Sequence, residues 1–444
     1  MLELRLKTKR TLMSLFGFVS TLLVCFLLTS NSYAKDSKQD ELNKRLQALD
    51  KFTKTLAIVE QYYVEDQNIS DLVDKSISGL LSNLDAHSSF LDEKSFNQMK
   101  IQTSGEFGGL GITVGMKDNA LTVIAPIEGT PADKAGIKAG DVILRINGEA
   151  TLEMSLDDAV DRMRGKPKTE ITVTIYRPAQ KPFDLTLKRD IIKVESVYSK
   201  LVENEDILYL RVTTFDKNVA EQARKAIKAH PKIKGIVLDL RNNPGGLLDQ
   251  AIELTNLFVD KGVIVSQKGK IESENRNYEA VKNKKVSDSS LVVLVNGGSA
   301  SASEIVSGAL QDFKRAIIVG EKTFGKGSVQ TVMQINKTEA LRLTIARYYL
   351  PNGRSIQAVG VKPDIEIAAG KISSNDESFS IKESDLKQHL QGELEKIGGV
   401  KEAPKKESKE DKNIITPLQL NDDAQLKAAV DAVKILNIQK GSTR

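Results

Sequence analysis

The side chains that could do chemistry together gather late in the chain. Asn296-Gly297-Gly298-Ser299-Ala300-Ser301-Ala302-Ser303 sets three serines in a small-residue turn, and Phe324-Gly325-Lys326-Gly327-Ser328-Val329-Gln330 holds a lysine between glycines. A serine hydroxyl is a weak nucleophile at neutral pH and needs an adjacent base. The chain has three histidines, His87, His230 and His389, and none stands near these stretches. Lysine serves as a base when burial disfavours its ammonium form. Gln330, four residues after Lys326, projects from the same face of an extended segment, and its neutral amide can orient an amine without adding charge. The chemistry in view is attack by a serine with a lysine as proton acceptor. Each piece alone has an ordinary explanation. Ser299 or Ser303 can be a helix N-cap, and Gly-Lys-Gly is commonly a solvated turn. The conjunction carries the case.

These stretches need elements to hold them. Leu291-Val292-Val293-Leu294-Val295 is an apolar run that predicts a strand buried on both faces. A helix is expected from near Ser301, since Ile305, Val306, Ala309, Leu310 and Phe313 recur at helical spacing, and Ala316–Gly320 predicts the next strand. A hydroxyl at that helix start would stand beside unpaired N–H groups able to stabilise an oxyanion. Upstream, strands at Leu208–Val212 and Gly235–Leu240 alternate with helices at Val219–His230 and Leu247–Val259, the pattern of a parallel sheet with crossovers. Ligands in such sheets collect at the carboxyl ends of the strands. One such end is Arg241-Asn242-Asn243-Pro244-Gly245-Gly246, whose paired glycines let bare N–H groups approach a ligand. No Gly-Lys-Ser/Thr follows Gly246, which weakens a phosphate-loop reading. Asp239 and Arg241 read as a structural pair.

Both motifs resemble those of the carboxy-terminal processing peptidases, also called tail-specific proteases: Gly298-Ser299-Ala300-Ser301-Ala302-Ser303-Glu304-Ile305, then Lys322 to Gln330. The resemblance implies Ser301 as nucleophile, Lys326 as its base and Gln330 as an assisting residue. It also implies an oxyanion segment with one N–H from Gly245 or Gly246 and another from Ala302. Tyr348–Arg354 and Gly360–Asp364 match further family segments. Leu350 stands where the family often has threonine, and Ala86 where it has proline in an Asp-Pro-His-Ser segment. Within that segment His87 is expected to fix a turn.

Between Gly105 and Arg189 the texture changes to short strands and turn residues. Phe107-Gly108-Gly109-Leu110-Gly111-Ile112 precedes the alternating strand Ile112–Met116, and Gly140-Asp141-Val142-Ile143 comes later. The succession is similar to a PDZ domain. Gly109, Leu110, Gly111 and Ile112 would then hold a terminal carboxylate on backbone N–H groups, with a peptide paired to the strand edge. Ser155 is expected to cap a helix, with Asp158 three residues on and Gly165 at its end.

The expected architecture is a multidomain α+β and α/β chain: a PDZ domain ahead of a ClpP/crotonase-like β/α protease core, with N- and C-terminal helices. The expected boundaries are 1–34, 35–103, 104–190, 191–370 and 371–444. The first segment is read as a secretory signal, with Arg5, Lys7, Lys9 and Arg10 before an apolar run to Leu28 and the small-x-small pattern Ser32-Tyr33-Ala34. An uncleaved anchor, and so membrane association, is the rival reading. Cys25 is the single cysteine, so the chain after Ala34 would have no disulfide. The signal carries +3 of the formal +5, leaving about +2 and no basic stripe to attract nucleic acid. The chain has no Trp and no second long apolar run, which argues for a soluble protein. Leu42, Leu46, Leu49, Leu56, Val59 and Tyr63 near heptad spacing fit a helix on the core or a partner helix in a homo-oligomer. Lys401–Lys412 reads as a disordered linker, and Ala424–Leu436 as a closing helix with Leu426, Val430 and Val433 on one face. No metal-ligand cluster and no nucleotide fingerprint is present, so no cofactor is expected. Together these imply a periplasmic or otherwise exported, ATP-independent serine endopeptidase. Its partners would be proteins with exposed C-terminal tails and, where one exists, an activating adaptor. The competing readings are an inert PDZ adaptor and a trypsin-like PDZ protease; the latter needs a Gly-Asn-Ser-Gly-Gly segment that is missing.

Overall fold

The computed structural model describes residues 39–372 and 413–442. The signal segment, Cys25, His389 and the charged run Lys401–Lys412 lie outside them. The described chain divides after Phe90. The first unit holds a helix over 39–62 and a second over Ile69–Ser82, capped by the Asn68 side chain, which accepts from Ser70 N. The apolar seam of the first helix stays open, with Leu42, Leu46 and Leu49 at 49, 55 and 62% exposure. The turn after the second helix is organised by Asp85, whose carboxylate accepts from His87 N, Ser88 N and Ser88 Oγ.

In the second unit the serine turn and the lysine loop hang from a seven-stranded sheet. Its order is Ile365–Glu366, Ile317–Gly320, Ser290–Val295, Gly235–Asp239, Ile207–Val212, Val197–Val202 and Ile414–Ile415. All neighbours are parallel except Val197–Val202 against Ile207–Val212. Alternation sorts the strands' side chains onto two faces. Leu208, Leu210, Ile236, Leu238, Leu291 and Val293 pack under the helices Val219–Ala229, Leu248–Asn256 and Ala302–Asp312. Tyr209, Val237, Val292, Leu294 and Val319 pack under Leu426, Ala429, Val430 and Val433 of the C-terminal helix Ala424–Ser442. That second cover explains why Leu291–Val295 is apolar without a break. The segment 413–442 therefore closes one edge and one face of the core sheet.

An antiparallel sheet containing Val263–Gly269, Arg276–Glu279, Ser328–Gln334 and Ala340–Tyr349 stands beside it. The helix Glu93–Ser104 packs Phe96 against Leu91 and Ala340.

The inserted domain is a sheet ordered Ile112–Lys117, Ala120–Pro126, Val142–Ile146, Glu170–Tyr176 and Phe183–Lys188, with the helix Leu156–Met163 packed on it. Ser155 caps that helix by accepting from Asp158 N, as the sequence predicts. The two connections to the core pair with each other: Glu106–Gly109 runs antiparallel to Asp190–Lys193. The ribbon is pinned where Val194 N donates to Gly105 O and Lys217 meets Glu106 at 3.2 Å.

Candidate active site

Parallel register brings three strand ends side by side. Asp239 pairs with Leu294, and Val295 with Gly320, so the loops that follow these strands rise from one edge of the sheet. They are Arg241–Gly246, Asn296–Ser301 and the lysine loop that runs to Gln330.

The three serines separate by environment. Ser299 and Ser303 are fully buried, and their hydroxyls donate to Leu240 O at 2.8 Å and Asn243 O at 2.9 Å. Both tie the turn to the neighbouring loop, and neither caps the helix. Ser301 is half-buried and is itself the N-cap of Ala302–Asp312. Its backbone sits at φ +53°, ψ −110°, a conformation that a non-glycine residue keeps only when its surroundings impose it, at about 1–3 kcal/mol. The surroundings are Glu304 and Asn243. Ser301 N donates to Glu304 Oε2 at 2.8 Å, and Ala300 N donates to Asn243 O at 3.0 Å.

Glu304 is the residue that the motif reading missed. It is fully buried and accepts four hydrogen bonds: Ser301 N, Thr323 Oγ1 at 2.6 Å, Gly325 N at 2.7 Å and Lys326 N at 2.8 Å. Ser301 N and Lys326 N share one oxygen, so the two amides lie no further apart than twice that 2.8 Å bond. Phe324 N adds a bond to Ser299 O at 3.1 Å. One carboxylate thus joins the serine turn to the lysine loop. The Ser301-x-x-Glu304 spacing, a capping-box signature, was the available signal.

Gly245 and Gly246 both lie against this corner. A Cβ on Gly245, at φ +102°, would stand 2.9 Å from Ser301 Cβ and 3.0 Å from Ala302 N. A Cβ on Gly246 would meet Phe215 O at 2.3 Å. Only glycine fits at either position. Gly245 N is engaged, donating to Asn243 Oδ1 at 2.9 Å. Among the described residues, neither Gly246 N nor Ala302 N has a hydrogen-bond partner. Of the two glycines, Gly246 therefore offers the open donor. Gln330 begins beyond the lysine, in the strand Ser328–Gln334, where its Nε2 donates to Ser328 Oγ and Thr344 Oγ1. With Gly246, Leu248, Ile252, Tyr278 and Tyr348 it lines a cleft of about 550 Å³.

In the inserted domain, Ile112–Lys117 is an edge strand, and a cavity of about 70 Å³ opens between it, Gly109–Gly111 and the helix residues Val160 and Met163. Among the described residues, Leu110 N and Gly111 N have no partner. The Leu110 side chain is buried in the domain core, so it is the backbone of Leu110 that borders the cavity. Among the described residues, no group of His, Cys, Asp or Glu side chains is placed to hold a metal ion, and no helix is long and apolar enough to cross a membrane.

The profile of peptidase family S41 matches residues 206–367, and that of the PDZ domain matches 122–177. The chain is similar to the carboxy-terminal-processing protease of Bartonella bacilliformis, 44% identical over 351 residues covering 77% of this chain and 80% of that protein. It is also similar to the carboxy-terminal processing protease CtpA of Bacillus subtilis, 37% identical over 337 residues covering 74% and 69%. Among solved structures it matches the photosystem II D1 C-terminal processing protease, with 30% identity, a TM-score of 0.41, and coverage of 71% of this chain and 92% of that one. Shared sequence on this scale, running through the PDZ domain and the serine and lysine loops alike, means that the chain belongs to the carboxy-terminal-processing proteases, serine-type peptidases of family S41.

Proposed function

We propose that the protein is an exported, ATP-independent endopeptidase that holds the free C-terminal end of a protein in its PDZ groove and cuts the chain at Ser301. Ser301 Oγ attacks the peptide carbonyl while Lys326 Nζ takes the hydroxyl proton. The N–H groups of Gly246 and Ala302 receive the oxyanion. Lys326 returns the proton to the leaving amine, then serves water in the hydrolysis of the acyl-enzyme. Gln330 orients the amine. The observation that carries this reading is the sharing of Glu304 Oε2 between Ser301 N and Lys326 N, which supports nucleophile and base acting as a pair.

Tail recognition is supported by the open Leu110 and Gly111 amides beside an edge strand, with an apolar cavity for the last side chain. The paired ribbon is the hinge through which a bound tail would swing the PDZ domain. Export follows from the Arg5–Ala34 segment. The open seam of Leu42, Leu46 and Leu49 suits a second copy of the chain, and the helices at both ends of the chain are the proposed oligomer contacts. An adaptor that activates the enzyme belongs to the same reading.

The test is cleavage of an unfolded protein ending in a free apolar residue. Ser301→Ala and Lys326→Ala should each abolish cleavage while the variants stay folded and still bind the tail. An active Ser301→Ala enzyme with Ser299 and Ser303 intact overturns the assignment.

A further inference from the structure

The segment 413–442 lies beyond both matched regions, which end at 367 and 177, yet it reaches the loop that carries Gly246. Arg241 opens that loop with its guanidinium almost buried, at 13% exposure, between two carboxylates. On one side its Nη2 and Nε lie 2.6 and 3.0 Å from Asp239 Oδ2 and Oδ1. On the other, Nη1 and Nη2 lie 2.9 and 2.8 Å from Asp423 Oδ1 and Oδ2. Gln425 Oε1 accepts a further bond from Nη1 at 3.1 Å. Asp239 is fixed in its strand and accepts from Tyr209 OH at 2.8 Å. Gln425 Nε2 donates to Ile367 O at 2.8 Å. The fork is therefore filled from two elements at once, the geometry that makes arginine–carboxylate pairs directional.

Two residues past Arg241, Asn243 receives Ala300 N and Ser303 Oγ on its carbonyl and Gly245 N on its side chain. A shift of Arg241 is thus passed to the turn below Ser301 and to the Gly246 amide. We propose that Asp423, seconded by Gln425, is a positioning residue for peptide hydrolysis, holding the oxyanion loop through Arg241 from the far end of the chain. The proposal rests on the oxyanion reading of Gly246 and Ala302 above.

Asp423 also accepts from Leu426 N at 3.0 Å, a capping contact at the start of the last helix. Asparagine caps as well as aspartate but lacks the charge that grips Arg241, so Asp423→Asn separates the two roles. In the full chain this variant should stay folded with a modestly lowered melting temperature and keep KM within about twofold, while kcat falls about 10- to 100-fold, short of the loss on deleting an oxyanion donor outright. Its affinity for a peptide boronate, whose tetrahedral anion occupies the oxyanion site, should fall by the same factor. Asp422→Asn, on a neighbouring carboxylate that pairs with Lys371, should change none of these. Should Asp423→Asn fail to fold, Gln425→Met decides, with a smaller parallel loss in kcat and boronate affinity expected. Unchanged kcat in the deciding variant, or a loss that appears in KM alone, overturns the proposal. Ser301→Ala run alongside keeps the two readings distinct. If that variant is active the catalytic reading fails; if it is inactive while Asp423→Asn matches wild type, only the role of Asp423 fails.

Discussion

Glu304 holds four donors and offers no room for a fifth kind of contact. Replacing it by glutamine presents an N–H₂ to groups that are themselves donors, so at least one of them is left unsatisfied in a buried place. Because the displaced groups carry the proposed nucleophile and base, Glu304→Gln should lower kcat about 100-fold, the size of effect expected from a misplacement near 1 Å. Steady-state kinetics on a variant shown to be folded by circular dichroism would check it, and near-normal kcat would remove Glu304 from the site. Ser299→Ala and Ser303→Ala should act differently. Each leaves a buried carbonyl short of a donor and should reduce stability by about 1–3 kcal/mol in denaturant unfolding while the chemistry persists. The serine turn and the lysine loop were legible in the chain because their residue types are unusual together. That Glu304 binds both was not legible, since its bonds to Gly325 and Lys326 depend on the register of Val295 with Gly320.

The strands and helices named for the parallel sheet were legible to within three residues, because both periodicities are strong there, whereas the strands Val197–Val202, Val263–Gly269 and Ala340–Tyr349 were not picked out. Hidden from the sequence was what covers the second face of the sheet. An apolar run states that both faces are buried without naming the cover, and the C-terminal helix is remote in sequence. In the inserted domain the expected role of Leu110 was a backbone one, and its side chain in the core leaves the backbone beside the cavity. The groove's predicted chemistry can be read by amidating a substrate tail. The loss of a charge-assisted contact should weaken binding about 10-fold or more, seen as a raised KM relative to the free acid. Equal rates for the two substrates would remove tail recognition from this groove. Burial alone would raise the pKa of the Asp423 carboxyl, but Arg241 and the Leu426 and Gln425 amides hold it below its ordinary value. The same pairing outweighs burial at Arg241 and raises its pKa further. A carboxyl shifted down contributes stability that is complete above the unfolded pKa of about 4 and is lost as pH falls through the lower folded value. The grip on Arg241 should therefore be intact throughout the neutral range, and any acid loss of kcat through it should appear only below about pH 4. Asp423→Asn should lack that loss in a pH–rate profile.

At the scale of the whole molecule, the paired ribbon makes the PDZ domain removable. Gly105 and Val194 are joined by a hydrogen bond of 2.9 Å, so excising residues 106–193 and bridging the gap with a short glycine linker should leave the core intact. The shortened enzyme should still cut an unfolded protein and should no longer distinguish a free acid tail from an amidated one. A folded but inactive product would mean instead that the PDZ domain is needed to complete the site.

Arg241 and Asp423 are 182 residues apart, and the order in which they are made matters. At 5–20 residues per second, roughly ten to forty seconds of synthesis separate them. For about the last half of that interval, once Lys326 has been made, the serine, the lysine and both glycines exist, but one face of their sheet is bare and the guanidinium has only one of its two anchors. On the role proposed for Asp423, a nascent copy of this protease should cut the unfolded chains around it about 10- to 100-fold more slowly until residues 413–442 have docked.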